Sequence, residues 1–225
     1  MENICNDCNI KSKAARYLTD TEVDSQSKNC VQVRFKKGAN IVRQGNWSSN
    51  VAFLRSGLVK LHMQGPYYEQ IIKITKAASY LALPTTFGEK INQYSVTAIE
   101  DSEICFIDLE VFKAFFLENP AFAYEIMIEL CQNELNTFRR CINRTQKQTR
   151  GKIAENLLFF ADSIYENDGY ILPLSREELG NLVDATRESV SRILSEFHEE
   201  GLIDLDKKSI KILNRSKLLT IAEKG

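Results

Sequence analysis

The spacing of apolar residues changes period twice along the chain. Between residues 31 and 108 the segments VQVRF, ANIVRQG, VAFLRSG, LVKLHM, EQIIKIT, YSVTAIE and EICFIDL each alternate or cluster apolar side chains over a few residues. That is the period of short strands. Gly38, Gly45, Gly57 and Gly65 fall between these segments, as turn punctuation does. Short strands at regular spacing predict an all-β barrel or jelly roll. Before them, residues 1 to 30 are polar, and the spacing predicts a short helix over residues 19 to 27.

From residue 110 the period becomes helical. A short helix over residues 110 to 118 stops before Pro120. Beyond it Tyr124, Ile128, Cys131, Leu135, Phe138 and Ile142 are spaced 4, 3, 4, 3, 4. This is a heptad seam of the kind that joins two helices in a coiled coil. A core helix packed on its own domain has a wider stripe. Ala123, Ile126 and Leu130 supply a second apolar face, so the pattern predicts one helix with a seam to a partner and a flank to its own domain. Around Gln146 to Gly151 the pattern turns polar (RTQKQTRGK) and reads as a hinge. Ile153, Leu157, Leu158, Phe160, Ala161 and Ile164 then mark another helix, which Asn167-Asp168-Gly169 ends.

The stretch from Leu174 to Leu202 reads as two short amphipathic helices with a tight turn. Ser175 and Glu178 stand at the spacing of a capping box. Leu179, Leu182 and Val183 form the first inner face, and Asp184-Ala185 the turn. Asp is one of the few side chains that tolerates a left-handed backbone. Thr186 caps the second helix, whose inner stripe is Val190, Ile193, Leu194 and Phe197. That leaves Arg187, Glu188, Ser191 and Arg192 together on the outer face of its first turns. Arg matches guanine O6 and N7 with a two-pronged fork, Glu accepts from cytosine N4, and Ser takes either role. A charged solvent face on an ordinary helical hairpin has the same spacing.

Composition adds bounds. At 225 residues the chain holds one large or two modest domains, with 44% hydrophobic and 26% charged residues, as in a soluble globular protein. No apolar run reaches the length of a membrane span, and no secretory leader is apparent, so a cytoplasmic location is expected. The six cysteines then read as thiols, ligands or core residues. A net charge of -1 does not announce nucleic-acid binding. Such binding has to rest on local placement: Arg187, Arg192, Lys207, Lys208, Lys211 and Arg215. No Gly-rich phosphate loop, HExxH or G-x-S-x-G stands in the sequence, so an enzyme is not expected.

Arg187-Glu188-Ser189-Val190-Ser191-Arg192 resembles the recognition helix of the Crp/Fnr family of bacterial transcription regulators. Residues 202 to 213, with Lys207-Lys208 between apolar runs, resemble the family's wing, and residues 31 to 146 its β-roll and long dimer helix. The resemblance implies an α+β chain in four parts: a cysteine-bearing arm (1–18), a β-roll sensor domain of the cyclic-nucleotide-binding type (19–118), a dimerisation helix (119–147) and a winged helix-turn-helix (148–225). It implies a homodimer that reads a palindrome in double-stranded DNA and works with RNA polymerase. Thr186, Arg187, Glu188, Ser189, Ser191, Arg192, Lys207 and Lys208 are the expected DNA contacts. Tyr124, Ile128, Cys131, Leu135, Phe138 and Ile142 are the expected dimer interface.

For the signal, the family comparison has two parts. Ala82-Leu83-Pro84 and Tyr94-Ser95 stand where cyclic-AMP-binding members hold the phosphate, but the arginine and glutamate of that site are missing. A buried phosphate without a cation is costly, so cAMP is disfavoured. Members that sense oxygen hold an iron-sulfur cluster through arm cysteines and one at the end of the β-roll. Cys5, Cys8 and Cys105 match three of those places; the remaining arm cysteine, due near Ala14, is absent. A cubane normally takes four thiolates, so Cys30, Asp20 or Asp24 would have to complete the set. A redox signal through iron-sulfur or thiols is the leading expectation. A non-cAMP small ligand, a haem-bound gas, or an adaptor that does not bind DNA are the alternatives. Cys105 is also readable as a small buried hydrophobe.

Overall fold

The computed structural model of the chain describes residues 10–225, so Cys5 and Cys8 lie outside the described residues. The chain divides into two compact units, with the division between Leu135 and Asn136. In the first unit a single 3-10 turn (Ala14–Tyr17) precedes α1 (Asp20–Lys28). Thr19 and Glu22 close a capping box at its start: the Glu22 N–H donates to the Thr19 hydroxyl at 3.3 Å, and the Thr19 N–H to the Glu22 carboxylate at 2.7 Å.

Strands β1 (Cys30–Phe35), β2 (Asn40–Val42), β3 (Asn50–Ser56), β4 (Leu58–Gln64), β5 (Glu69–Lys76) and β6 (Ser79–Leu81) follow. After α2 (Leu83–Gly88) come β7 (Ser95–Ala98) and β8 (Ser102–Asp108). They build two four-stranded antiparallel sheets, ordered β1-β8-β3-β6 and β2-β7-β4-β5. Seven of these strands coincide with the alternating segments of the sequence. β6 and α2 do not: β6 is the three-residue segment Ser79–Leu81, and α2 follows Ala82 in a left-handed conformation (φ 61) with Pro84 in its first turn. Gly57, between β3 and β4, has φ 94, and a Cβ there would meet Ser102 Oγ at 2.3 Å. Only glycine fits that turn.

Side chains on the facing sides of the two sheets, among them Ala52, Leu54, Val59, Val96 and Ile104, form one core cluster. Alternate residues of the first sheet, Val51, Phe53, Cys105 and Ile107, point the other way, into a second cluster with the helices. There they join Val23 of α1, Phe112 and Phe115 of α3 (Leu109–Glu118), and Phe122 and Ile126 of α4 (Pro120–Gln146). β3 therefore has both faces covered, which explains its near-continuous apolar run. Asp108 caps α3 by accepting from the Glu110 and Val111 N–H groups at 2.9 and 3.1 Å. Pro120 opens α4, where its missing N–H costs nothing.

The second unit holds the last turns of α4, then α5 (Thr149–Phe159), which runs into a π-helical segment (Phe160–Tyr165). Next come β9 (Gly169–Ile171), α6 (Arg176–Val183), α7 (Arg187–Glu199), β10 (Ile203–Asp206), β11 (Ser209–Ile212) and α8 (Arg215–Lys224). The three strands form one antiparallel sheet ordered β10-β11-β9. No described helix is long and apolar enough to cross a membrane.

The turn between α6 and α7 is built from three local constraints. Ser175 and Glu178 form the expected capping box of α6. Asp184 ends that helix at φ 58, the left-handed region anticipated for it. Gly180 lets the chain fold back closely, since a Cβ there would lie 2.4 Å from the Ala185 carbonyl oxygen. Asp184 also pairs with Arg144 near the end of α4, with Arg144 Nε 3.1 Å from its Oδ2, and Arg144 Nη2 donates to the Leu182 carbonyl at 3.4 Å. Asp184→Ala removes this pair and leaves a Cβ at a positive φ; Asp184→Gly removes the pair alone. The alanine variant is expected to be less stable than the glycine variant by about 1 kcal/mol, read as the difference in urea midpoints at equal slope. Equal midpoints would mean that the turn stores no such strain.

Candidate nucleic-acid interface and sensor site

α7 is seated by Val190, Ile193, Leu194 and Phe197, each 3% exposed or less. Burying four such side chains contributes about 1.5–3 kcal/mol apiece, far more than any surface contact of the helix. Thr186 caps it, its hydroxyl accepting from the Ser189 N–H at 3.2 Å. Arg187, Glu188, Ser191 and Arg192 are all exposed, as the spacing predicts, and Ser189 is half-buried. The hydroxyls of Thr186 and Ser189 bond to each other at 3.2 Å, so both are engaged within the cap. The Arg192 guanidinium reaches back to Glu196, Nη1 to Oε1 at 2.5 Å.

β10 and β11 pair in register from Ile203↔Ile212 to Asp206↔Ser209. Lys207 and Lys208 are the exposed turn between them, Lys207 at φ 52. This turn is tied to the start of α6: Arg176 Nη2 donates to the Lys207 carbonyl at 2.7 Å. Burial lowers the Arg176 pKa, and its Nη1 is buried without a hydrogen-bond partner. Sequence spacing does not reveal Arg176, because its partner stands 31 residues away. His198 bonds to the backbone of Ile203 and Leu205 and so belongs to the same hairpin. A capped helix with an exposed Arg/Glu/Ser/Arg face and a lysine-tipped hairpin in one compact unit can present hydrogen-bond forks to base edges and cations to phosphates.

Along α4 the predicted seam is solvent-facing in the single chain. Tyr124, Leu135, Phe138 and Ile142 are 54–58% exposed, Cys131 is exposed and Ile128 half-buried. Ile126, on the other face, is 1% exposed, while Leu130 is 36% exposed. The seam is thus an apolar stripe that its own chain does not cover. At the end of α4, Asn143 and Lys147 both bond to Glu155 of α5, at 2.7 and 3.0 Å. Burial, with the like charge of Arg144, lowers the Arg140 pKa there.

The residues that resemble a nucleotide-phosphate site are engaged in hydrogen bonds with neighbouring parts of the chain. The Thr85 and Thr86 hydroxyls donate to the Ala82 carbonyl at 2.9 and 3.0 Å, and Thr86 meets Ser48 at 2.7 Å. The Gln44 N–H donates to Ser95 Oγ at 3.0 Å. Burial pushes the Tyr94 hydroxyl pKa up to about 12, against a backbone hydrogen bond from Ala82. Leu83 is buried and Pro84 exposed. Elsewhere in the β-roll His62 lies 2.8 Å from both Thr97 Oγ1 and Glu69 Oε2, and Lys60 3.3 Å from Glu69 Oε1. His62 is therefore a paired strand histidine.

Cys105 on β8 and Cys30 on β1 are 7% and 9% exposed and belong to one apolar cluster. A cavity of about 40 Å³ borders Cys105, lined also by Ser12, Phe53, Arg55, Tyr80 and Ile107. Ser12 and Tyr80 bond across it at 3.0 Å. Ala14, at the place of the absent arm cysteine, is 1% exposed. Among the described residues no three metal-ligating side chains come together. The described residues alone thus do not supply a cluster's ligand set. Cys141, like Cys131, is exposed.

Two domain models match the chain: a cyclic nucleotide-binding domain over residues 32–119 and a Crp-like helix-turn-helix domain over residues 151–221. The chain is 24% identical to the fumarate and nitrate reduction regulatory protein of Vibrio cholerae, over 97% of this chain and 90% of that protein. It is 23% identical to a CRP-like cAMP-activated global transcriptional regulator of Mycobacterium tuberculosis, over 83% of this chain and 85% of that one. In fold it is similar to FixK2 from Bradyrhizobium japonicum, with a TM-score of 0.77 at 18% identity, covering 85% of this chain and 96% of that one. A Crp/Fnr-family regulator from Eubacterium rectale has the same TM-score at 19% identity, covering 94% and 98%. The relatives are transcription regulators, not enzymes, and the name of one of them gives cAMP as its activator. Both halves of the regulator architecture are present in order, and the chain belongs to the Crp/Fnr family of transcription regulators.

Proposed function

We propose that the protein is a sequence-specific DNA-binding transcription regulator that acts as a homodimer on a palindromic site. The observation that carries this is α7, whose four exposed residues share one face while a buried stripe fixes the other. Arg187 and Arg192 would read guanines and Glu188 a cytosine, with Ser191 on a thymine or the backbone. Thr186, Ser189, Lys207 and Lys208 would hold phosphates at the helix start and wing. Two chains joined along Tyr124, Ile128, Cys131, Leu135, Phe138 and Ile142 would set two α7 helices one helical turn apart on the duplex. RNA polymerase is the further partner that the family implies.

For the signal, the self-bonded groups around Ala82, Thr85, Thr86, Tyr94 and Ser95 argue against cAMP. The arginine of the family's phosphate site is missing from the matching sequence, and admitting a phosphate would break hydrogen bonds already made there. We favour a cysteine-based redox signal, with Cys5, Cys8 and Cys105 as ligands or thiols and Cys30 as the fourth. Cys30 and Cys105 share the same apolar cluster. When bound, an iron-sulfur cluster would supply one-electron and oxygen chemistry. The chain's own contribution is a small pocket at Cys105, walled by the end of the arm and by the helix that follows it. A change there would alter how paired α4 helices pack, and with it the spacing of the two reading helices.

Two outcomes are expected. In an anisotropy titration against a palindromic duplex selected by the protein, Arg192→Ala weakens binding by about 1–3 kcal/mol, and the affinity of both proteins falls steeply with salt. Unchanged affinity would remove Arg192 as a base reader. Protein purified without oxygen is expected to be brown and to contain iron and acid-labile sulfide in equal amounts, both lost in Cys105→Ser. A colourless, iron-free protein would end the cluster reading and leave thiol chemistry alone.

A further inference from the structure

The reading of Arg192 as a base contact leaves open what holds its guanidinium in place. We infer that Glu196 is a specificity-determining residue, which orients Arg192 for base reading and is itself fixed from behind by Arg150. Glu196 stands one turn beyond Arg192 on α7 and uses both carboxylate oxygens. Oε1 accepts from Arg192 Nη1 at 2.5 Å and Oε2 from Arg150 Nη1 at 3.0 Å. Arg150, at the start of α5, is anchored twice more. Its Cζ lies 4.7 Å from the centre of the Phe197 ring, which is fully buried. Its Nη2 donates to both oxygens of Glu200, at 2.6 and 2.7 Å.

This arrangement differs from an ordinary exposed pair four residues apart on a helix, in which two long side chains must both be ordered for little gain. Here the carboxylate is already held by a cation stacked on a core ring, so Arg192 docks against a fixed partner. Arg192 has five N–H donors, and reading a guanine uses two. One spent on Glu196 leaves the reading fork intact while limiting where the guanidinium swings. The same carboxylate is a negative charge beside the surface that meets DNA. It therefore disfavours non-specific phosphate contact, so discrimination rises partly through repulsion of the wrong complex. Removing it has an unusual signature: weaker discrimination together with equal or tighter non-specific binding. A loss of structure lowers both.

The experiment uses the full chain and a pool of duplexes with a randomised centre. Wild type, Arg192→Ala, Glu196→Ala, Glu196→Gln and Arg150→Met are each carried through selection and sequencing, with thermal unfolding as the fold control. Arg192→Ala identifies the base position that Arg192 reads. At that position Glu196→Ala is expected to lose ~3- to 10-fold of the wild-type preference, a fraction of one base contact. Its affinity for unselected duplex stays equal or rises. Arg150→Met, which leaves the face of α7 untouched, shows a smaller loss at the same position, and Glu196→Gln falls between wild type and Glu196→Ala. Full wild-type preference at that position in Glu196→Ala overturns the inference. So does an equal loss at every position with weaker non-specific binding. If the wild type enriches no sequence at all, the DNA reading falls and this inference falls with it.

Discussion

The reading surface depends on the burial of Val190, Ile193, Leu194 and Phe197 beneath α7. This stripe fixes the helix's rotation about its own axis, and so decides which residues face outward. A helix turned by one residue would bury Arg192 or Ser191 and expose Phe197. The cost of burying an unpaired arginine, together with the lost apolar burial, excludes that arrangement. The capped start at Thr186 and the left-handed Asp184 place the helix along its axis in the same way. Phe197 has a second role, as the ring on which Arg150 stacks. The core thereby reaches the polar face of the helix through one anchored cation.

Much of this was legible in the residues. Strand and helix periods located seven of the eight β-roll strands and the long helix. The Ser175/Glu178 box, the Asp184 turn and the Thr186 cap were readable because each is a local event within about four residues. What stayed hidden is non-local or lacks an apolar period of its own. β6 is three residues long, and α2 is one and a half turns opened by a left-handed alanine. Arg176 meets Lys207, and Arg150 meets Glu196, across 31 and 46 residues. No spacing rule links such pairs, because tertiary packing brings them together. Gly180 had a readable identity but no readable reason until the Ala185 carbonyl was seen beside it.

The β-roll divides into regions that are closed and regions that are not. The loop at the phosphate position satisfies its own hydroxyls and carbonyl, and a ligand would have to out-compete bonds already made. Cys105 instead borders a small cavity lined also by Ser12, Ala15 and Leu18 of the arm. The pKa of Glu129 on α4 is raised by burial, with Lys73 opposing, and Lys73 bonds to Asn133 at 2.7 Å. The long helix therefore carries polar residues that answer to the β-roll as well as an apolar seam. A helix with both is suited to converting a change in the sheet domain into a change in helix pairing.

That conversion requires two chains. Tyr124, Leu135, Phe138 and Ile142 form an apolar stripe more than half exposed in one chain, and a heptad-spaced stripe of that kind fits a second copy of itself. Sedimentation equilibrium of the native protein beside Phe138→Glu, each with and without a selected palindromic duplex, tests this most directly. The native protein is expected to sediment with the mass of two chains and the variant with that of one, with duplex binding in the native protein alone. A native protein that sediments as a single chain and still binds the palindrome as tightly as its variant would contradict this pairing.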